Sequence, residues 1–446
     1  MKTKFLSLLA VALLTATCMS CSDDDNNGET PATDETYTIK KFANNPLVAE
    51  VWWGQDYSED AANDFLDNRY HYRASSAQKA PALTNKDGVG ACSSWRKGNY
   101  HGRNIDWMMR DNVSLIVHMP KIGTNHAWVG VIAGSSLASQ DMIDQNTVIP
   151  DSLRPYLPAL VVDGINDAGV CINHNIVPYD MNKKPKYAAT GDIASNAVCA
   201  YVLSHCGSAK AAVDALRNMA VAQTIVTLAG DYSHFFISDT QESYVVEWIE
   251  NQFVATNFTQ KSGDMYLSPN GNPAIMTNFF VGEAEKYGLH TNAFLKAHPM
   301  AEGIERYDII NSKLPDASTE KDHLGICQAV WFSPFCKGDR NTWASECYGS
   351  YGYDSTLDKA YWEYPAGSGV HYMENDSIYG AAMALMESGN FDVYYQDFSK
   401  GNDKPWSGNP YWYTQHSVVY DLQSHSGALV GMEGMYDDSV IRFSVE

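Results

Sequence analysis

The sequence predicts an α+β protein whose sheets are antiparallel. Two observations support this prediction: short runs rich in β-branched residues occur in clusters, and one pair of helical stretches lies between the clusters. Strands grouped apart from helices are typical of antiparallel sheets, whereas parallel sheets alternate strand and helix. Hydrophobic residues make up 45% of the 446 residues and charged residues 19%, a globular balance with ample apolar material for a core.

The elements are predicted in the following order along the chain. Strands are expected at 48–53, 114–119, 127–132, 159–162 and 169–172, with a helical turn at 61–66 and an exposed loop at 74–88. Helices are expected at 193–203 and 208–219, the second with Ser208 as its N-cap. Strands follow at 234–238, 244–248 and 253–256, and a hairpin of 417–422 with 428–430 closes the chain.

The charge balance excludes one class of partner. The chain has 53 Asp and Glu against 31 Lys and Arg, a formal charge of −22. Binding to phosphate backbones depends on clustered cations, so a nucleic-acid partner is not expected. Aromatic residues at 12% suggest a large core or a groove for an apolar ligand.

The N-terminus has the pattern of an export signal. Lys2 and Lys4 precede an apolar run at 5–14 and then small residues, so residues 1–20 are predicted to be a signal peptide too short to span a membrane. Cys21, followed by the acidic stretch 22–27, resembles the start of a mature lipoprotein of the Bacteroides type, with Cys18 as the rival acceptor. Residues 21–36 would then be a solvated tether on the bacterial outer membrane, and the lipid would be the only membrane contact.

Cysteine usage indicates one distinctive thiol. Beyond the two early cysteines, seven remain, an odd number that predicts a free residue in an exported protein. The pairing of the others is open. The close cysteine pairs of structural zinc sites are missing from the sequence, and we expect neither a metal nor a cofactor.

Cys92 stands in the segment with the clearest chemistry. It is followed closely by Arg103 and Asp106. A nearby guanidinium lowers the pKa of a thiol, and a carboxylate is able to hold an amine or orient the nucleophile. Taken alone, these residues are better explained by a buried structural cysteine beside a surface ion pair.

The order of five motifs resembles the choloylglycine hydrolase family of N-terminal nucleophile amidohydrolases, which includes bile salt hydrolases, penicillin V acylases and acid-ceramidase-like relatives. The motifs are 92–106, 163–170, 236–247, 276–279 and 305–307, and Thr414-Gln415 extends the series. The resemblance implies a four-layer αββα sandwich with two antiparallel sheets.

The resemblance also implies a role for each matching residue. Cys92 would be the nucleophile and, once it is a chain start, would use its own α-amine as base. An α-amine has a pKa of about 8, so part of it is neutral at physiological pH. Asp106 would hold the amine, Arg103 would sit beside the sulfur, and Arg306 matches a second family arginine. Asn278 would be an oxyanion donor, which contributes about 3 kcal/mol of transition-state stabilisation. A further pocket asparagine corresponds to Asn175 or Asn173.

An N-terminal nucleophile at residue 92 requires processing. We therefore expect cleavage of the Ala91–Cys92 bond, which leaves residues 37–91 as a pro-segment or small α chain and residues 92–446 as the catalytic β chain. The apolar pattern of 37–73 favours retention of the small chain.

The predicted function is hydrolysis of linear C–N amide bonds in small molecules with a large apolar acyl group, such as N-acylethanolamines or N-acyl amino acids. Conjugated bile salts and penicillin V are alternative substrates, and an acyltransferase with the same thioester is the nearest alternative enzyme. A papain-like protease would need a matching His context that the 13 histidines do not provide. A non-catalytic ligand-binding lipoprotein is the alternative of another class. A homo-oligomer is compatible with all of these.

Overall fold

The computed structural model describes part of the chain. The described residues are 40–42, 45–52, 91–107, 114–133, 161–177, 193–222, 232–250, 252–297, 303–330, 350–354, 356–357, 359–363, 370–372, 413–431 and 439–446. The predicted signal peptide, the tether with Cys18 and Cys21, the helical turn at 61–66 and the loop at 74–88 lie outside these residues.

The larger sheet, called sheet A, has nine strands in the order β1-β2-β5-β6-β7-β8-β11-β12-β13. Their bounds are β1 Lys40–Phe42, β2 Asn45–Trp52, β5 Ser114–Met119, β6 Trp128–Ile132, β7 Asp163–Asn166, β8 Cys171–Val177, β11 Tyr232–Ser238, β12 Ser243–Ile249 and β13 Gln252–Phe258. All neighbours pair antiparallel except β2 and β5, which are parallel.

The second sheet, called sheet B, has eight strands. Seven follow the order β14-β15-β3-β4-β20-β21-β22, and β16 also pairs with β3. Their bounds are β3 Ala91–Lys97, β4 Tyr100–Trp107, β14 Gln260–Ser262, β15 Met265–Leu267, β16 Ile275–Met276, β20 Tyr413–Asp421, β21 Ser426–Gly431 and β22 Ile441–Ser444. Two small sheets are formed by β9 Ile193–Ala194 with β10 Val221–Ala222, and by β17 Ser350–Asp354, β18 Lys359–Glu363 and β19 Val370–Tyr372.

Helices cover the outer faces of both sheets. Their bounds are α1 Val198–His205, α2 Ala209–Arg217, α3 Val281–Tyr287, α4 Asn292–Ala297, α5 Ile304–Lys313 and α6 Glu320–Ala329, with 3-10 turns at Ser195–Ala197 and Leu314–Asp316. Ser208 caps α2 as predicted, since its hydroxyl accepts from the Ala211 N–H. Within the described part of the chain, no helix is long and apolar enough to cross a bilayer.

Three apolar clusters define the layers. The first packs α1 and α2 on sheet A, with Leu203 and Phe235 among its members. The second lies between the sheets and joins Ile116 of sheet A to Val418 of sheet B. The third packs sheet B against α5 and α6, with Ile310 among its members. The order helix, sheet, sheet, helix confirms the predicted four-layer αββα sandwich.

The parallel pair β2–β5 departs from the antiparallel prediction. Val48 lies opposite Ser114, and Trp52 opposite His118. Parallel neighbours require a long crossover, and here that connection contains β3 and β4 of the other sheet. The strand at 48–53 was therefore predicted correctly in kind, but its partner was not evident from local pattern.

Two local predictions are wrong. The apolar run 159–162 was expected to be a strand, yet Val161 and Val162 precede β7, which begins at Asp163. A charged residue such as Asp163 does not fit the apolar pattern of a buried strand. The groups that stabilise its charge are distant in sequence, so the local pattern did not indicate a strand here. The helix expected from Ile193 begins only at Val198, because Ile193 and Ala194 pair instead with Val221 and Ala222.

The β3–β4 hairpin carries the predicted nucleophile. Gly98 and Asn99 make a two-residue turn, with Gly98 at φ 55°, a conformation that only glycine adopts freely. Within the hairpin, Gly102 lies opposite Trp95 and against its indole ring. This tight turn accounts for the short spacing between Cys92 and Arg103.

Candidate active site

Cys92 is the second residue of β3, where sheet B faces sheet A. Cys92 is 2% exposed, and it lies opposite Ile105 in the hairpin. The structure describes the chain uncleaved at Ala91–Cys92, and Ala91 pairs with Asp106.

Both main-chain polar groups of Cys92 are held by side chains predicted for the site. The Cys92 N–H donates to Asn278 Oδ1 at 2.8 Å. Arg306 donates through Nη1 to the Cys92 carbonyl oxygen, and through Nη2 to Asn278 Oδ1 at 2.7 Å. The structure thus brings together three predicted residues that are far apart in sequence.

The amide nitrogen of Asn278 is also engaged. It donates to the carbonyl oxygen of Ile176 at 2.6 Å. In the unprocessed chain, Asn278 therefore binds the main chain of Cys92 and of β8, and its oxyanion role stays a prediction.

Several groups around Cys92 change the pKa of its thiol in opposite directions. Burial raises the pKa of the Cys92 thiol above its ordinary value. The Arg103 charge opposes this, the Asp106 charge adds to it, and a hydrogen bond from the Asp106 main chain and the Arg306 charge also favour the thiolate. Because burial prevails, the thiol of the unprocessed chain is protonated and needs a base before it attacks.

Asp106 has an incomplete set of partners. Its Oδ1 accepts from the Thr414 hydroxyl at 2.5 Å, whereas Oδ2 is buried without a hydrogen-bond partner among the described residues. Burial raises the pKa of Asp106 to about 7, although Arg306, Thr414 and Arg103 act in the opposite direction. Thr414, which extends the motif series, is thus a direct contact of the site.

Arg103 is fixed by groups that the sequence did not assign to the site. Its Nη1 donates to Asp163 Oδ2 at 3.1 Å, and its Nη2 donates to the His174 carbonyl at 2.5 Å. Asp163 also binds His416 at 2.9 Å and accepts from the Tyr420 hydroxyl at 2.5 Å. Burial alone would raise the pKa of Asp163, but His416, Arg103 and Tyr420 hold it below its ordinary value.

Asp163 opens one of the five motifs, so its position was visible, but its contact with Arg103 was not. His416 follows the Thr414-Gln415 pair closely, and that spacing was the available signal for it. Nothing in the local pattern marked Tyr420.

Of the two candidate asparagines, Asn175 lies nearer the nucleophile strand. Its Oδ1 accepts from Ser94 at 3.5 Å and from Asn173 at 3.0 Å, and its Nδ2 donates to the Thr277 carbonyl at 3.5 Å. Asn173 binds His101 at 2.7 Å through its own Oδ1. The contacts with Ser94 and Thr277 favour Asn175 as the pocket asparagine.

The other described cysteines are Cys171, Cys199, Cys206 and Cys327, and all have free, buried thiols. Burial raises the pKa of each of them. Among the residues that the structure describes, no group of three His, Cys, Asp or Glu side chains is placed to hold a metal.

Residues 92–270 match the family of linear amide C–N hydrolases, choloylglycine hydrolase family. This segment is therefore similar to that family. The match begins at Cys92, and the family comprises hydrolases that act on C–N bonds of linear amides, as predicted. Asn278 and Arg306 lie beyond the matched segment, and the structure places both on the main chain of Cys92.

Three solved structures are similar over most of the chain at low identity. Penicillin V acylase from Agrobacterium tumefaciens is 15% identical, with 77% of this chain and 83% of that chain covered and a TM-score of 0.34. Two variants of conjugated bile acid hydrolase from Clostridium perfringens are 11% identical, with 80% and 92% covered and TM-scores of 0.37 and 0.33. No curated protein sequence matches the chain significantly.

Proposed function

We propose that the chain is a cysteine amidohydrolase that matures by cleavage between Ala91 and Cys92 and then hydrolyses N-acyl amides. The observation that carries this proposal is the enclosure of Cys92: Asn278 binds its N–H and Arg306 its carbonyl, while one oxygen of Asp106 in the same site has no hydrogen-bond partner among the described residues. A structural cysteine does not require side chains on both of its main-chain groups.

Maturation follows from the position of the thiol. The Cys92 sulfur attacks the Ala91 carbonyl carbon, the C–N bond breaks, and the acyl group is transferred to sulfur as the Cys92 nitrogen gains a proton. Water then hydrolyses the thioester and leaves a carboxylate on Ala91 and a free amine on Cys92. In its protonated form this amine would be a cation beside Asp106, and it would supply a partner for Oδ2, which has none in the part of the chain that the structure describes.

Turnover of the substrate repeats the same chemistry. The neutral Cys92 amine accepts the thiol proton, and the thiolate attacks the acyl carbonyl of the amide. The proton passes to the departing amine, and a thioester remains. Water releases the acid and restores the thiol. Arg103, fixed by Asp163, favours the thiolate, and Asn278 is the proposed donor to the oxyanion.

The proposed substrate has a large apolar acyl group, of the N-acylethanolamine or N-acyl amino acid type. The aromatic content of 12% supports an apolar acyl site, and a retained small chain is the arrangement of the two-chain relatives that act on lipid amides. Conjugated bile salts and penicillin V are the alternative substrates.

We further propose that residues 1–20 are removed on export and that Cys21, or Cys18, carries a lipid that anchors the protein to the outer membrane. The acidic stretch after Cys21 supports this proposal.

Intact-mass analysis of the purified protein, followed by release assays, tests these proposals. We expect a fragment that starts at Cys92, an upstream fragment with a lipid mass on its first cysteine, and fastest release from an oleoyl amide compared with taurocholate and penicillin V. Only full-length chain with full activity would reject the cleavage, and no fragment together with no hydrolysis would reject the enzyme.

The Cys92→Ala variant is the matched control and separates the enzyme from a ligand-binding lipoprotein. We expect it to remain full length and to release no acid. A binding protein would instead keep its affinity for the oleoyl amide in both forms and hydrolyse it in neither.

A further inference from the structure

A buried histidine–glutamate pair in sheet A contacts the turn that carries Asn278. His234 of β11 and Glu247 of β12 are both fully buried, with His234 Nδ1 at 3.0 Å from Glu247 Oε1. Neither residue contacts Cys92 in any described interaction, so the chemistry proposed above leaves the pair without a role.

The histidine holds the residue that precedes Asn278. Its Nε2 is 2.9 Å from the Thr277 carbonyl oxygen. A carbonyl oxygen only accepts, so Nε2 carries a hydrogen and donates it to Thr277, while Nδ1 faces the Glu247 carboxyl group.

The glutamate holds the residues that follow Asn278. Glu247 Oε1 accepts from the Val281 N–H at 2.9 Å, and Oε2 accepts from the Gly282 N–H at 2.8 Å. These are the first N–H groups of α3, and the N-cap residue Phe280 has no side-chain acceptor to satisfy them. The carboxylate of Glu247 therefore replaces the missing cap.

We propose that His234 and Glu247 form a positioning unit that clamps the turn 277–282 from both sides and thereby sets Asn278 Oδ1 against the Cys92 N–H. Because Asn278 is tied to Cys92 at 2.8 Å and to Arg306 at 2.7 Å, a shift of the turn would displace both contacts. A misplacement of about 1 Å at such a contact costs about a hundredfold in rate. The catalytic consequence rests on the proposed function, whereas the geometric consequence does not.

The geometric consequence is tested by hydrogen exchange at residue 92 in the Cys92→Ala chain, which cannot cleave itself but keeps the N–H. We expect that adding Glu247→Gln speeds exchange of this N–H by about tenfold or more. The reason is that the carboxylate that holds the turn and contacts His234 is lost. Equal exchange with and without Glu247→Gln would overturn the proposal.

Asp167→Asn is the matched control. Asp167 also binds a histidine, His126, and also accepts from a backbone N–H, that of Ala127 at 3.3 Å, but it has no described contact with the Asn278 turn. We expect exchange at residue 92 to be unchanged in this variant. If Glu247→Gln does not fold, His234→Gln replaces it, because it removes the ring that holds the Thr277 carbonyl and leaves Glu247 on α3.

The catalytic consequence is tested by a double-mutant cycle in the Cys92 chain. We expect Glu247→Gln to lower self-cleavage and kcat by about tenfold with little change in KM, and to have little further effect in an Asn278→Ala background. The same fold loss in both backgrounds would show a merely structural role and overturn the proposal. A parent chain that neither cleaves nor hydrolyses, but shows faster exchange in Glu247→Gln, would reject the proposed function and leave the clamp standing.

Discussion

The pKa of the Asp106 carboxyl group depends on which partners its two oxygens have in the site. One oxygen is satisfied by Thr414, and the other is buried without a hydrogen-bond partner among the described residues. Burial therefore dominates and raises the pKa of Asp106 to about 7, even with two arginine charges nearby. An ammonium group formed at Cys92 by cleavage would reverse that balance, so the unprocessed site is less favourable for a charged Asp106 than the processed one.

The raised pKa of Asp106 predicts how the stability of the unprocessed chain depends on pH. In the unfolded chain an aspartate loses its proton near pH 4, whereas folded Asp106 keeps it up to about pH 7. The folded state binds more protons in this window, so the contribution of Asp106 to the free energy of unfolding falls as pH rises through it. In the Cys92→Ala background, Asp106→Asn should match the parent at pH 4 and exceed it by up to about 4 kcal/mol at pH 8.

Chemical denaturation at both pH values measures this difference. Asp214→Asn is the control, since Asp214 is exposed on α2 and pairs with Lys210, so its loss should change the free energy of unfolding by no more than about 1 kcal/mol at either pH. An Asp106→Asn variant that is less stable than the parent at pH 8 would contradict the assignment.

For individual residues, the sequence predicted the side chains that contact Cys92 but not the side chains that hold those contacts in place. Ordered motifs identified Asn278 and Arg306 because the chemistry constrains residue types and order. Asp163 and the pair His234 and Glu247 act on Arg103 and on the Asn278 turn across neighbouring strands. Such partners are set by three-dimensional register, which a single sequence does not display.

The β3–β4 hairpin shows the same limit at the scale of an element. Its tight turn follows from Gly98, and the pairing of Trp95 with Gly102 follows from the turn. The Trp95 indole donates to His323 Nδ1 at 3.0 Å, which fixes it over Gly102. The fixed indole makes glycine obligatory next to Arg103.

Gly102→Ala should destabilise the protein. A Cβ at this position would lie 2.3 Å from the Trp95 ring, and the indole cannot move without losing its bond to His323. Overpacking of this kind costs about 1–3 kcal/mol, which a thermal melt detects as a lower Tm. Gly325→Ala on α6 is the control, because a Cβ there meets no atom within 4 Å. An unchanged Tm for Gly102→Ala would show that the hairpin relaxes around the indole.

At the scale of the whole molecule, the upstream segment is part of the sandwich. Strand β2 lies between β1 and β5 in sheet A, and Val48, Ala49 and Val51 are buried. The sequence predicted an apolar strand here and a short processed chain, but not a parallel pairing with β5. That pairing depends on a crossover through the other sheet, and local periodicity contains no information about it.

The position of β2 predicts that the upstream fragment stays bound after cleavage at Ala91–Cys92. Each buried valine contributes about 1.5–3 kcal/mol, and the strand pairs on both edges. Glu50 also binds His118 at 2.6 Å, and the Trp52 ring stacks on the His118 ring at 4.6 Å. The processed fragments should therefore elute together in gel filtration and separate only under denaturing conditions.

A charge placed in this strand tests the same argument. Val51→Asp should release the upstream fragment or prevent the chain from accumulating, because Val51 is fully buried in the cluster beneath α1 and α2. Trp52→Phe is the matched control, since it keeps an aromatic ring against His118 and should retain the fragment. If the parent fragments elute separately once cleaved, β2 contributes less to the sheet than its burial implies.

Without β2, the catalytic chain would have β5 as an open sheet edge, which exposes unpaired backbone groups to other chains. We would then expect the isolated catalytic chain to aggregate.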